Sequence, residues 1–185
     1  MKLNNIPKIA TALGLAVAMG CTLNVASAAP ATATDKAAAS NQTVSLLDGK
    51  QVFKLQGYEP QPVPGGAPGT MYHSKAEKRV LIVNEDEKPL IARAASDADF
   101  LEGMKSIKDK QKESSPSYTV LSEKTEHVKG LDVYHVEATS NMGGNDVQQA
   151  TLIAVAGKKF SVIQVISNHR DKAGHIAAVN NILGK

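Results

Sequence analysis

Cysteine and aromatic residues are scarce in this 185-residue sequence, which has one cysteine, no tryptophan and 4% aromatic residues in total. Because Cys21 is the sole thiol, no disulfide bond can form within the chain. The shortage of aromatic rings leaves no platform on which bases or sugars could stack. A folded part of this chain must therefore depend on its apolar core, for which about 140 residues suffice.

Motifs that carry catalysis are also missing from the sequence. There is no serine in a Gly-x-Ser-x-Gly elbow. The glycine pairs at 65–66 and 143–144 are not followed by Lys-Ser or Lys-Thr, as a phosphate-binding loop requires. We therefore expect no catalytic residues, no metal ligands, no cofactor and no enzymatic activity. The histidines lack a metal-binding frame and are predicted to be dispersed surface residues: His73, His127, His135, His169 and His175.

Positive charge is concentrated near the N-terminus. The sequence has 21 Lys and Arg residues against 18 Asp and Glu residues, and Lys2 and Lys8 supply two of the three net charges. Since the rest of the chain is close to neutral, its composition gives no reason to expect nucleic acid or an acidic membrane surface as a partner.

The first 28 residues are typical of a secretory signal peptide. Lys2 and Lys8 precede an apolar run over residues 9–19. This run is too short to cross a bilayer as a permanent helix, because that takes about 20 residues. We therefore predict that the protein is exported to the periplasmic side of a bacterial envelope.

Two ways of ending this leader are compatible with the sequence. The Ala-Ser-Ala sequence that ends at Ala28 is a small-x-small site, and cleavage before Ala29 would release a soluble periplasmic protein. Residues 18–21 (Ala-Met-Gly-Cys) instead form a loose lipobox, in which Cys21 would be acylated and become a membrane anchor. Both alternatives stay open.

The remainder divides into a tether and one domain. Residues 29–42 are rich in Ala, Thr and Ser and have almost no large apolar side chain. Such a segment cannot bury enough surface to offset the entropy of ordering it, so we predict a disordered tether. The folded domain is predicted over residues 43–185, as an α+β fold with a central antiparallel sheet flanked by helices.

The first half of the domain is predicted to contain two strand pairs and a helix. Asp48-Gly49 joins strands at 43–47 and 51–55 into a hairpin. Residues 57–70 are rich in Gly and Pro and are predicted to be a long loop without a regular element. A second pair of strands is predicted at 71–74 and 79–84, a charged turn at 84–87 and one helix at 97–113, capped by Ser96.

The second half is predicted to be a meander followed by a helix. Four strands at 118–128, 131–140, 147–156 and 159–167 are separated by short Gly-containing turns, which favour antiparallel neighbours. The last helix, at 171–183, is predicted to pack on the sheet through a stripe of apolar residues: Ile176, Val179 and Leu183.

This order of elements resembles the DcrB family of bacterial envelope lipoproteins. The resemblance covers residues 43–183. It is carried by the sequence Ser-Leu-Leu-Asp-Gly-Lys at 45–50, by Phe53 and Leu55, and by the apolar strand at 80–83. It implies a Mog/PsbP-like αβα sandwich with no catalytic residues. It also implies a role in envelope maintenance and bacteriophage sensitivity or uptake, with an unidentified envelope protein or a lipid as partner.

Two functions follow as hypotheses from the sequence. The first is a non-enzymatic envelope protein that binds a protein or lipid through a face of its sheet or through the 58–70 loop. The alternative is a periplasmic carrier of a small ligand or metal, with a pocket under the loop that contains His73 or His135. The sequence assigns no binding residues beyond these.

Intact mass spectrometry of the purified protein tests the prediction of export. We expect the mass of a chain that begins either at Ala29 or at an acylated Cys21. The substitution Cys21→Ser should abolish the acylated form and leave cleavage before Ala29 unaffected. Recovery of the chain from the cytosol with Met1 still attached would contradict export.

Overall fold

The computed structural model describes residues 41–185. The predicted signal peptide at 1–28, with Cys21, Ala28 and Ala29, therefore lies outside the described residues, as does most of the predicted tether. Strand β1 begins at Asn41, two residues before the predicted start of the domain. The strands are β1 Asn41–Leu46, β2 Gln51–Gln56, β3 Glu59–Pro62, β4 Thr70–Ser74, β5 Arg79–Glu87, β6 Thr119–Val128, β7 Leu131–Met142, β8 Asn145–Ala156 and β9 Lys159–Asn168, and the helices are α1 Asp97–Met104, α2 Ile107–Ser114 and α3 Lys172–Leu183.

Seven of these strands form one antiparallel sheet in the order β3-β4-β5-β9-β8-β7-β6. The predicted meander is confirmed, because β6, β7, β8 and β9 pair with their neighbours in chain order. Strand β5 adds to the outer side of β9, so the apolar residues 80–83 lie inside the sheet. Strands β1 and β2 form a separate two-stranded hairpin, as the Asp-Gly turn predicted.

The sheet is covered on both faces, which gives the predicted α+β class. One face, called the hairpin face below, is covered by the β1–β2 hairpin and by α3, and its core includes Phe53, Leu152 and Val179. The opposite face is covered by α1 and α2, with Phe100 and Ile153 in its core. Since successive side chains of a strand point to opposite faces, β8 and β9 are buried over most of their length.

The predicted structureless loop at 57–70 was wrong in part. Residues Glu59–Pro62 form an edge strand that pairs with β4, and Val63 is buried against Met71 and Ile82. Two prolines concealed this strand from the sequence pattern, because proline cannot donate a ladder hydrogen bond and is tolerated only at sheet edges.

The predicted charged turn at 84–87 was also wrong, since these acidic residues continue β5. They pair with Lys159, Phe160, Ser161 and Val162 at the start of β9. The apolar run ends at Val83, so the sequence pattern predicts the end of the strand there. The strand continues to Glu87 because its backbone still pairs with β9.

The helix predicted at 97–113 is two helices, α1 and α2, which are separated at Lys105 and Ser106. The predicted cap is present, because Ser96 Oγ accepts a hydrogen bond from the Asp99 N–H at 3.1 Å. Ser106 Oγ donates to the Gly103 carbonyl at 3.1 Å and so competes for the acceptor that a continuous helix would offer to residue 107.

The buried stripe of α3 differs by one residue from the prediction. Val179 and Leu183 are buried as expected, but Ile176 is 58% exposed. Its neighbour His175 is buried instead, because its ring enters a polar cluster on the hairpin face. A hydrophobicity pattern does not predict this buried face, because one of the residues that α3 packs against the sheet is a polar histidine.

Gly69 is the position where the fold requires glycine most strictly. Its φ is +106°, and a Cβ there would lie 2.5 Å from the Val83 carbonyl oxygen. The Pro68–Gly69 backbone can therefore pass close to β5 only because no side chain intervenes.

The substitution Gly69→Ala should destabilise the domain by more than Gly66→Ala. Residue 66 also has a positive φ, of +72°, but a Cβ there meets nothing within 4 Å. The positive φ alone costs about 1–2 kcal/mol for a residue with a side chain, and the clash with Val83 adds to this at residue 69. Urea denaturation of the two variants measures the difference, and equal losses of stability would contradict the close approach.

Candidate functional site

A chain of hydrogen-bonded polar groups lies on the hairpin face beneath α3. Arg79 Nε donates to Ser167 Oγ at 3.0 Å, and Ser167 Oγ lies 2.9 Å from His175 Nδ1. His175 Nε2 lies 3.0 Å from one oxygen of Glu137, and the other oxygen of Glu137 lies 2.6 Å from His135 Nε2. These contacts connect β5, β9, α3 and β7.

The register of the sheet explains why these residues meet. Arg79 on β5 is opposite Ser167 on β9. Ala150 on β8 pairs with Glu137 on one side and with Val165 on the other. Because Ala150 has no side chain beyond Cβ, the space above β8 is open to the ring of His175.

The start of α3 is fixed to the same cluster. Asp171 caps the helix by accepting from the Gly174 N–H at 3.0 Å, and its other oxygen accepts from Arg79 Nη2 at 2.8 Å. Arg79 also donates to Glu77 and to the Tyr58 hydroxyl, so each nitrogen of the buried guanidinium has a partner. Burial, assisted by the hydrogen bond to Glu77, raises the pKa of Tyr58 to about 12.

Glu137 is the acidic centre of the cluster. Burial raises the pKa of its carboxyl group, but hydrogen bonds from His135 and His175 outweigh this and bring the pKa down to about 2. His135 also lies 3.0 Å, through Nδ1, from Glu126. Each ring nitrogen of His135 therefore has a carboxylate as its partner.

Glu126 extends the cluster to the chain end. Burial raises its pKa, but hydrogen bonds from Lys185 and His135 outweigh this and bring the pKa to about 2. The ion pair with Lys185 therefore ties the last residue of the chain to edge strand β6.

The order Ser167, His175, Glu137 matches that of a nucleophile, a base and an orienting acid. Ser167 is only 1% exposed, and its Oγ already accepts a hydrogen bond from Arg79. A substrate carbonyl therefore has no route to this oxygen. What these groups do is hold α3 on the sheet.

The structure corrects the prediction that the histidines are dispersed over the surface. His135 and His175 are 7% and 1% exposed, and both contact Glu137. The alternation of His135 with Glu137 along β7 was the available signal, because residues two apart share a face of a strand. The other three histidines do not join the cluster: His73, His127 and His169.

The predicted carrier pocket is not assembled under the 57–70 segment. His73 is opposite Val80, which packs with Val63 on the face opposite to the hairpin. His135 lies on the hairpin face and four strands away in the sheet. Within residues 41–185, no group of three or more His, Cys, Asp or Glu side chains could hold a metal ion.

One open concave site of the described residues lies beside β1. It is a cleft of about 560 Å³, formed by residues 43–46, residues 68–70 with Tyr72, and residues 83–86. Its lining combines apolar residues, such as Val44 and Val83, with polar and acidic ones, such as Asn84 and Glu85, and no Lys or Arg belongs to it. The predicted loop thus contributes its last residues to a site, although β1, which sequence reasoning had not included, forms the facing wall.

A second surface feature is an apolar pair, Leu90 and Ile91, which are 76% and 67% exposed. The segment that carries them is anchored by the buried Lys88, whose Nζ donates to Asp97 at 2.8 Å and to the Ala95 carbonyl at 3.2 Å. Asp97 in turn accepts from the Gly157 N–H at 2.9 Å. The pair is therefore displayed on a fixed segment. In the part of the chain that the structure describes, no helix is long and apolar enough to span a bilayer.

Replacing Glu137 with glutamine should destabilise the domain by about 2 kcal/mol or more, because the buried rings of His135 and His175 would lose the charged carboxylate that both of them contact. Urea denaturation near neutral pH measures this loss. Glu113→Gln, on the exposed face of α2, is the matched control and should change stability by no more than about 0.5 kcal/mol. Equal stability of both variants would show that Glu137 does not hold α3.

The same carboxylates predict a loss of stability in acid. Their pKa values in the folded protein are about 2, below the value of about 4.3 expected in the unfolded chain. Their contribution is therefore complete above about pH 4.3 and is lost as the pH falls towards 2. Urea unfolding at about pH 5 and about pH 3 should show lower stability at the lower pH. The difference should be smaller in Glu137→Gln, and an unchanged difference would contradict this assignment.

Comparisons with known proteins identify the fold but not a family. No family model matches the sequence, and no curated protein matches it. The chain is similar to the solution structure of cyanobacterial PsbP (CyanoP) from Synechocystis sp. PCC 6803, with a TM-score of 0.54, 14% identity and coverage of 84% of this chain and 95% of that one.

Two further structures match less well. A protein of unknown function from Pseudomonas aeruginosa, PA94, described as a putative regulator, has a TM-score of 0.45 and 12% identity, with coverage of 76% of this chain and 91% of that one. LpqN of Mycobacterium tuberculosis, described as involved in cell envelope biogenesis, also has a TM-score of 0.45, with 11% identity and coverage of 82% and 85%. The likeness to CyanoP confirms the predicted PsbP-like fold, while membership of the DcrB family remains a prediction.

Proposed function

We propose that this protein is a non-enzymatic component of the cell envelope, of DcrB type, which acts by binding a partner. In this proposal it contributes to envelope maintenance and to bacteriophage sensitivity or uptake. The partner is an envelope protein or a lipid on the periplasmic side, and the chain reaches it either in soluble form after cleavage at Ala28 or through a lipid anchor on Cys21.

One observation carries this proposal: the reactive side chains are engaged inside the fold, whereas the accessible features are suited to binding. Ser167 and His175 are buried and hydrogen-bonded. The open features are instead a polar cleft beside β1 and the exposed pair Leu90 and Ile91. Concave sites bind ligands or partners in many proteins, and clustered exposed apolar side chains mark interaction surfaces.

The leader supplies the second support, since a lysine-flanked apolar run followed by small residues directs export. The PsbP-like fold that the DcrB resemblance implied is a third support, although folds host many functions and the fold alone selects none of them.

Deletion of the gene in the source bacterium tests the proposal. We expect altered plating efficiency of bacteriophages and induction of envelope-stress reporters. The intact gene should restore both phenotypes. A version that lacks residues 2–28 should not restore them, because its product stays in the cytosol. Unchanged phage plating and unchanged stress reporters in the deletion strain would overturn the proposal.

A further inference from the structure

The adjacent residues Leu90 and Ile91 are the two most exposed large apolar residues in the part of the chain that the structure describes. The next two, Leu121 and Ile176, lie on β6 and α3. Single exposed apolar residues are common on protein surfaces, whereas apolar residues that cluster there mark interaction sites. Leu90 and Ile91 are therefore expected to contact a partner.

The pair is carried by a turn with a fixed backbone. The Lys88 N–H donates to the Lys158 carbonyl at 2.7 Å, which joins the segment to the turn between β8 and β9. Residues 90–92 form a single 3₁₀ turn, which is closed by a hydrogen bond from the Ala92 N–H to the Pro89 carbonyl at 2.8 Å. Since Lys88 is itself buried, the segment is anchored and the pair is held outside the core.

The composition of this segment is typical of elements that lie in a membrane interface. Residues 88–96 read Lys-Pro-Leu-Ile-Ala-Arg-Ala-Ala-Ser and include no acidic residue. Interfacial elements combine apolar side chains with Lys or Arg. Arg93 is exposed two residues after the pair, and an arginine can bury its aliphatic stem while its guanidinium stays at the level of the headgroups.

Two further cations lie at the same end of the sheet. Lys158 is exposed in the β8–β9 turn, whose backbone contacts the segment. Lys50 is also exposed. It is two residues from Asp48, whose carboxylate pairs with Lys159 at the start of β9. These two lysines and Arg93 are the cations available to phosphate groups at a surface that the pair enters.

Most carboxylates at this end are engaged in ion pairs within the domain. The pairs are Glu87 with Arg93, Asp97 with Lys88, and both Asp48 and Glu85 with Lys159. Lys50 and Lys158 take part in none of these pairs. Because Asp86 and Asp99 are also nearby, we expect a modest attraction to an anionic surface and expect the apolar pair to supply most of the binding.

The size of the apolar feature favours a bilayer over a second protein molecule. Each partner in a stable protein–protein interface buries about 800 Å², and two side chains cover only a small part of such an area. The other exposed large apolar residues lie on other elements. Binding to a bilayer grows with whatever apolar area is inserted and requires no surface of matching shape.

The point where the chain enters the domain is compatible with this end facing a bilayer. Strand β1 begins at Asn41 and leads to the 47–49 turn, so the chain enters about 20 Å from the end of the domain that carries the pair. Residues 22–40 can span roughly 60 Å when extended. If Cys21 is acylated, the anchor and the pair can therefore reach the same bilayer.

We propose that the surface formed by Leu90, Ile91, Arg93, Lys50 and Lys158 docks on a phospholipid bilayer that contains anionic lipids. Leu90 and Ile91 enter the interface, and the three cations contact phosphate groups. This inference rests on the proposed function, since it makes the partner a membrane surface and names the residues that bind it. The near-neutral composition of the chain did not indicate this surface, because the fold brings its residues to one end of the sheet.

Vesicle flotation tests the proposal, with Cys21→Ser protein so that no acyl chain contributes. We expect binding to vesicles of equal parts phosphatidylcholine and phosphatidylglycerol, and weaker binding to pure phosphatidylcholine. The double substitution Leu90→Ser and Ile91→Ser should lower the partition coefficient about tenfold or more, because it removes the inserted apolar area. Lys50→Gln with Lys158→Gln should lower it about fivefold on the mixed vesicles and should have little effect on pure phosphatidylcholine.

A matched variant separates this surface from general effects. Leu121→Ser with Ile176→Ser removes the same kind of exposed side chain from other elements and should leave the partition coefficient unchanged. Circular dichroism of both serine double variants should match that of the wild type, because exposed residues contribute little to stability.

A fluorescent reporter measures insertion directly. The chain has no tryptophan, so Leu90→Trp introduces a single indole. Its emission should shift to shorter wavelength when the mixed vesicles are added, and brominated acyl chains should quench it. Leu121→Trp should show neither change.

Three results would overturn the proposal: no binding to the mixed vesicles, equal binding of the wild type and of the Leu90→Ser, Ile91→Ser variant, or Leu90→Trp emission that vesicles leave unchanged. A dimer in analytical ultracentrifugation that the same serine variant loses would also overturn it, because a second copy of the chain would then cover the pair. A deletion phenotype without vesicle binding rejects this inference alone. Vesicle binding without a deletion phenotype rejects the phage and envelope role alone.

Discussion

The carboxylate of Glu137 is the contact on which the arrangement of this domain depends. It contacts His135 within its own strand and His175 on α3, so a single, partly buried carboxylate joins the sheet to the helix that closes the hairpin face. Burying such a charge is costly unless donors surround it, and here both oxygens have one. The position of α3 follows from this requirement as much as from Val179 and Leu183, because the helix must bring an imidazole above Ala150 to satisfy the acid.

As a result, Ser167 and His175, which are residue types that can serve in catalysis, make contacts that hold the domain together. Ser167 shares its oxygen between Arg79 and His175, and Arg79 in turn fixes the N-cap Asp171. The cleft described above lies elsewhere, along β1 and the end of β5.

The contrast between the strand edges adds a further constraint. A large antiparallel sheet and a separate hairpin create several exposed edges, and three of these are blocked by proline, by a bulge with charges, or by α3. Gly69 lets the chain pass close to the Val83 carbonyl just before β4 begins at Thr70, and the last part of β5 extends beyond β4. The cleft lies where β1 faces the part of β5 that extends beyond the start of β4.

The α+β class, the Asp-Gly hairpin, the four-strand meander and the Ser96 cap were predictable from the sequence, because these follow from local turn chemistry and from apolar periodicity over many residues. The set of polar residues that are buried together became visible only in the folded chain. His135, Glu137 and His175 are adjacent through strand register and helix docking, and no local pattern fixes either of these. Strand β3 forms by pairing with β4 although it contains two prolines, and the end of β5 pairs with β9 although it is charged. In both places the local sequence predicts no strand. The cleft beside β1 was inaccessible to sequence reasoning for the same reason: its walls are 40 residues apart in the chain and meet only when the hairpin packs on the sheet.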